Sequence, residues 1–194
     1  MVDDDQVPFN PKISAAIRNR DIAALRDLLT AEPQQIHAFT PFAGGTWLHY
    51  AARQGDADAV QLLMSLGVDV NAGDARDGRA PICDACFGGH EDIVRLLLGA
   101  GAKLDTSDPV RNPLFAAVVG RSLPVAKLLL ESGMDAGVRY EGPSMKQMDA
   151  VAFAIESGET EIANEVARKL ANDNVEGVSR ILEKARSVAE MNNR

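Results

Sequence analysis

The sequence predicts an all-α solenoid of stacked helical hairpins, and three observations predict it. The stretches TWLHYAARQG (46–55), APICDACFGGH (80–90) and NPLFAAVVGR (112–121) repeat one order of apolar and small residues. The equivalents of Thr46 are Ala80, Asn112 and Asp149, spaced by 34, 32 and 37 residues, and the glycines Gly67, Gly101 and Gly133 recur at 34 and 32. Each small-residue stretch is followed by a stronger helical pattern, DADAVQLLMSLG, HEDIVRLLLGAG or SLPVAKLLLESG, with apolar residues three and four apart and a closing glycine. Such a period marks units that bury their apolar faces only by stacking on neighbours.

Taken in order, residues 1–12 begin MVDDDQVPFN, an acidic segment expected to be flexible. It lacks the basic start and apolar run of a secretory leader, and no stretch approaches the roughly 18 apolar residues of a membrane span, so a cytoplasmic location is expected. The repeat array is placed at 13–170. Within it, each first helix is short and rich in alanine, and each second helix is amphipathic. The last segment, 171–194, reads as a capping helix, with Val175, Val178, Ile181, Leu182, Ala185 and Val188 on one face and Asp173 and Glu176 at capping-box spacing. A terminal unit has an unpaired apolar side, which such a helix covers.

The formal net charge of −8 falls mainly on the array. That balance opposes a nucleic-acid backbone or an anionic membrane as partner, since both need clustered Lys and Arg. It favours a basic protein partner through faster encounter. A content of 46% hydrophobic residues in 194 suffices for a core without disulfides.

The segments TWLHYAARQGDADAVQLLMSLGVDVNAGD and APICDACFGGHEDIVRLLLGAGAKLD resemble ankyrin repeats, whose pattern is T-P-L-H-x-A-A, then G-H and a leucine-rich second helix. NPLFAAVVGRSLPVAKLLLESGMD resembles a third unit, DAVAFAIESGETEIANEVARKL a degenerate further one, and SAAIRNRDIAALRDLLTAEP an amino-terminal one, giving about five. On this reading Ala51, Ala52, Ala85 and Ala117 are small so that backbones approach, and Leu48, Ile82, Leu114 and Val151 fill the seams. Thr46 and His49 form a polar pair tying the helix start to its turn. The pair is replaced by Ala80 with Cys83, Asn112 with Phe115 and Asp149 with Ala152, so the other units are expected to be less regular. Asp56, His90, Ser122 and Glu159 are read as caps of the second helices.

The resemblance implies hairpin loops between units, and NAGDARDGRA (71–80) has the matching turn residues. Two connections are unusual: 31–45, with Phe39 and Phe42, and 135–149, four residues beyond a 33-residue period. Long loops on a rigid array are where recognition concentrates.

CDAC at 83–86 has the spacing of a redox pair or half a zinc site. Both cysteines occupy packing positions, further ligands are lacking, and no nucleophile motif, phosphate loop or H-E-x-x-H is present. No catalytic residue, metal or cofactor is therefore expected. Stacked first helices turn the two residues before the turn toward an inner groove: Arg53 and Gln54, Phe87 and Gly88, Val119 and Gly120, Glu156 and Ser157. Tyr50, Asp84, Ala116 and Phe153 point nearby, and Arg76, Asp77, Arg79, Arg111, Arg139 and Tyr140 extend the patch from the loops. The expected function is non-enzymatic binding of another protein in a concave groove, by a chain that is monomeric alone. An alternative is an inhibitor or immunity protein neutralising a toxic or basic enzyme; a different class is a redox- or zinc-responsive protein using Cys83 and Cys86.

Overall fold

A computed structural model of the chain describes residues 7–41, 44–143 and 145–192. Phe42 and the first six residues of the acidic segment lie outside the described residues. The chain divides into two compact units, Met1–Lys103 and Leu104–Arg194.

Unit 1 contains three helix pairs: α1 (Pro11–Arg18) with α2 (Ile22–Ala31), α3 (Trp47–Gln54) with α4 (Ala57–Ser65), and α5 (Pro81–Gly88) with α6 (Glu91–Gly99). The first helices form one row, α3 packing on α1 and on α5, and the second helices form another, α4 packing on α2 and on α6. Ala51, Ala52, Ala85 and Cys86 have no exposed surface, so the row closes on small side chains, while Ile13, Ile17, Leu48 and Ile82 fill its seams. Leu63, Ile93, Val94 and Leu97 bury the inner stripe of the second row.

A left-handed residue joins the two helices of each pair: Arg20 (φ 54°), Gly55 (φ 73°) and Gly89 (φ 71°). Arg20 accepts a conformation costing about 1–2 kcal/mol for a residue with a Cβ, and its Nη2 donates to the Gly55 carbonyl at 3.1 Å. Residues 7–12, expected within a flexible segment, are instead held: Phe9 stacks on Trp47 at 5.6 Å, Gln35 Nε2 donates to the Pro8 carbonyl at 2.7 Å, and Asn10 caps α1.

Unit 2 contains α7 (Pro113–Val119), α8 (Leu123–Glu131), β1 (Tyr140–Gly142), β2 (Met145–Met148), α9 (Ala150–Glu156), α10 (Thr160–Leu170) and α11 (Val175–Asn192). α7 packs on α8 and α9, α10 on α8 and α9, and α11 on α9, α10 and β2. Leu114, Ala117, Val151 and Ala154 repeat the small-and-seam pattern with no exposure. Asn112 and Asp149 cap α7 and α9 with their own side chains, to Leu114 N at 2.8 Å and Ala152 N at 3.0 Å, so the missing histidine does not leave these helix starts open.

Several details depart from the sequence expectation. The long 135–149 connection folds into an antiparallel pair, Tyr140 opposite Met148, with both side chains buried, adding a small sheet to an otherwise helical chain. On α11, Val175 is 79% exposed, and the buried contacts come from Ala185, Val188 and Ala189. Asn172 and Asp173 are both left-handed, which moves the helix start one residue on: Asn174, not Asp173, accepts from the Gly177 N–H at 2.8 Å. Asp56 and Ser122 cap as expected, whereas His90 and Glu159 make no capping bond and reach back instead, His90 Nε2 to the Arg53 carbonyl at 3.1 Å and Glu159 to Arg121 Nε at 2.6 Å.

Candidate functional site

The site forms in unit 1 where α3, α5 and the 74–79 turn meet. The Thr46 N–H donates to His49 Nδ1 at 3.0 Å, and the Thr46 hydroxyl lies at the same distance from it. Nδ1 is thus an acceptor, Nε2 carries the ring proton, and that proton goes to the Arg79 carbonyl at 2.8 Å. The same carbonyl accepts the Asp74 N–H at 2.9 Å, so one oxygen ties the start of α3 to the closure of the next turn. Burial pulls the imidazole below its ordinary value of 6.5, outweighing the Arg79 carbonyl, Asp84 and Asp74, and keeps it neutral.

The turn is set by Asp74, whose Oδ1 accepts the Asp77 N–H at 2.7 Å and the Arg76 N–H at 3.2 Å. Arg79 folds back over it, Nη2 lying 3.4 Å from Asp74 Oδ2 and 3.9 Å from Asp84 Oδ1. Arg79 Nε and Asp74 Oδ2 are buried without a hydrogen bond, so charge rather than fork geometry holds this pair. From α3, Arg53 Nη1 donates to Asp84 Oδ1 at 3.1 Å while its guanidinium lies 4.2 Å from the Phe87 ring centroid, a cation–π contact. Burial raises the Asp84 carboxyl above its ordinary value, opposed by Arg79, His49 and Arg53. Gly45, Tyr50 and Arg76 complete a cleft of about 380 Å³. Tyr50 is mostly buried, edge-on to Trp47 at 6.2 Å.

Of the residues picked from sequence, Tyr50, Arg53, Arg76, Arg79, Asp84 and Phe87 therefore come together. Gln54 and Asp77 are exposed beside the cleft without lining it. Arg111, Arg139, Tyr140, Phe153 and Glu156 belong to unit 2: Arg111 is 3.9 Å from Asp105, Arg139 is 3.5 Å from Asp149, and Glu156 is exposed at the end of α9. Tyr140 is not a loop contact but a core residue; its hydroxyl donates to the Thr106 carbonyl and accepts from Asn112 Nδ2, both at 2.9 Å. Phe153 stacks on Phe115 at 4.5 Å, and Phe115 meets Tyr140 edge-on at 5.2 Å. The cleft residues missed from sequence are Gly45, His49 and Asp74; the turn signal in NAGDARDGRA pointed to Asp74 only as a loop former. Cys83 and Cys86 are buried and not joined in a disulfide, and burial, Cys83 and Asp84 together push the Cys86 thiol well up, away from a reactive thiolate. Among the described residues no cluster of three or more His, Cys, Asp or Glu suits a metal ion, and no helix is long and apolar enough to cross a membrane.

Helix pairs stacked in two rows, with a polar cleft where α3, α5 and the 74–79 turn meet, define a helical repeat array. Residues 13–108 match the family model of ankyrin repeats in three copies, and the chain belongs to the ankyrin-repeat family. It is 33% identical over 99 residues to the B-cell lymphoma 3 protein homolog of Mus musculus, covering 50% of this chain and 22% of that protein. It is 29% identical over 146 residues to the probable E3 ubiquitin-protein ligase XBOS32 of Oryza sativa subsp. japonica, covering 69% and 29%. With the NF-kappa-B inhibitor cactus of Drosophila melanogaster it shares 36% identity over 85 residues, 42% and 17%. The chain thus spans less than a third of the length of each of these relatives. Ankyrin repeats are a non-enzymatic module that generally mediates protein–protein interaction.

Proposed function

We propose that the chain binds a partner protein through the cleft face of unit 1. The observation carrying this reading is that Arg53, Arg76, Arg79 and Phe87, residue types that dominate interface energies, converge with Tyr50 on one cleft whose floor is already fixed by Asp74, Asp84 and His49. A surface held in place before binding loses little conformational entropy on association. Phe87 is 37% exposed and Arg53 lies against it, so a partner side chain meets an ordered aromatic–guanidinium platform.

The test is affinity capture from the source cell's lysate with the full chain, the double variant Arg53→Ala/Phe87→Ala, and Lys127→Ala as a control in unit 2. One stoichiometric partner, retained by the control and lost with the double variant, is the expected result. Retention by a double variant of unchanged circular dichroism refutes the assignment of the cleft.

A second reading, an inhibitor that neutralises a basic enzyme, is favoured by the net charge of −8 and by similarity to a protein named as an inhibitor. In that case association is steered by the whole acidic surface, and its on-rate falls steeply with salt whether or not the cleft is intact.

A further inference from the structure

We propose that the cleft of unit 1 seats the carboxylate of an Asp or Glu side chain, from an acidic segment of the partner, between Arg76 and Arg53, with an adjacent apolar residue on Phe87. This rests on the cleft being the binding surface and adds the chemistry of what it takes. The chain as a whole carries −8, yet three guanidiniums and two carboxylates line this cleft. Both carboxylates are committed to the floor. The Asp74 side chain is 1% exposed, with Oδ1 taken by two backbone N–H groups, and the Asp84 side chain is 7% exposed beneath Arg53 and Arg79.

What faces solvent is therefore cationic: side-chain exposure is 43% for Arg53 and 23% for Arg79. Arg76 is exposed at the mouth, and its guanidinium makes no ion pair or hydrogen bond among the described residues. His49, neutral and committed at both nitrogens, offers the ligand nothing. Within the lining a lysine or arginine meets three like charges and only the two carboxylates already engaged in the floor, whereas a carboxylate meets the Arg76 guanidinium and the open side of Arg53. The ring of Phe87 beside Arg53 gives the adjoining residue an apolar seat. The cleft is thus a cationic spot on an acidic protein, which sets local recognition opposite to the basic partner that net charge suggested.

The experiment selects peptides from a random displayed library on the full chain, then measures the enriched peptides by fluorescence anisotropy at low and physiological salt. Peptides carrying Asp or Glu next to an apolar residue are expected, and Arg76→Glu in the protein or Glu→Gln in the peptide should weaken binding by about tenfold or more. The two changes together should cost less than the product of the two separately, since they remove the same contact. Peptides weakened by Phe87→Ala but carrying Lys or Arg, or indifferent to Arg76→Glu, overturn the acidic assignment and leave the binding cleft standing. A library whose peptides ignore both Phe87→Ala and Arg76→Glu, or that yields none, overturns this inference; indifference to Phe87→Ala counts against the cleft itself. Arg76 is exposed and its side chain has no partner among the described residues, so Arg76→Glu is expected to retain the fold, which circular dichroism verifies.

Discussion

The buried imidazole of His49 is a structural tie whose loss should be measurable in two independent ways. Replacing it with Ala removes the acceptor of the Thr46 N–H and the donor to the Arg79 carbonyl. The stranded Thr46 donor costs about 1–3 kcal/mol. The carbonyl keeps the Asp74 N–H, so the loss there is about 0.5–1.5 kcal/mol, and the whole change comes to about 1.5–4.5 kcal/mol. Acid should produce part of the same effect in the unaltered chain, because a second ring proton must go onto Nδ1, where it faces the Thr46 N–H.

The folded pKa of His49 is depressed below 6.5, so the folded state binds fewer protons than the unfolded one. Its contribution to stability is full above about pH 6.5 and drains as pH falls through the folded value, with a slope of at most about 1.4 kcal/mol per pH unit. Asp84 has the opposite sense: its folded pKa is raised above 3.8, so its contribution is present below 3.8 and is lost as pH rises through the folded value. The decline just below pH 6.5 therefore belongs to His49. Trp47, the single tryptophan and next to the cap, reports urea unfolding of unit 1 by fluorescence. Stability that is flat with pH through that window, or a His49→Ala variant with the same slope as the parent, would refute the reasoning.

Tyr140→Phe should lower stability by about 1–3 kcal/mol through the stranded Thr106 carbonyl and Asn112 amide, while the ring packing survives; denaturant unfolding monitored by circular dichroism measures it. Gly55 has φ 73°, and a Cβ there would lie 2.5 Å from the His90 ring, whereas at Gly67 (φ 83°) nothing lies within 4 Å. Gly55→Ala should thus cost more than the roughly 1 kcal/mol of backbone strain expected for Gly67→Ala, and His90→Ala should recover the excess; equal midpoints for the two alanine variants would contradict the contact. Asn192 caps the edge of β2 by accepting from Lys146 N at 2.7 Å and donating to its carbonyl at 3.0 Å. Asn192→Ala should accelerate hydrogen exchange at the Lys146 amide severalfold while leaving the α9 amides unchanged.

Helix periodicity, small residues and turn glycines specify the helical hairpins, their period and the seams of their core. Leu48, Ile82, Leu114 and Val151 read as seam residues and Ala51, Ala52, Ala85 and Ala117 as close approaches, and all eight are fully buried. These features were legible because helix periodicity, small residues and left-handed turns act within one unit or between nearest neighbours. Tertiary structure alone decided where the polar and loop side chains ended. His90 reaches back to Arg53 and Glu159 to Arg121 rather than capping their own helices, Tyr140 turns inward onto Asn112, and Asp74 joins Arg79 and Asp84 beneath Arg53. The His90, Glu159 and Tyr140 contacts, and the Arg53–Asp84 pair above Asp74, join residues about one repeat apart in the chain. A polar group has several ways to satisfy its hydrogen bonds, and only the position of the neighbouring unit chooses among them.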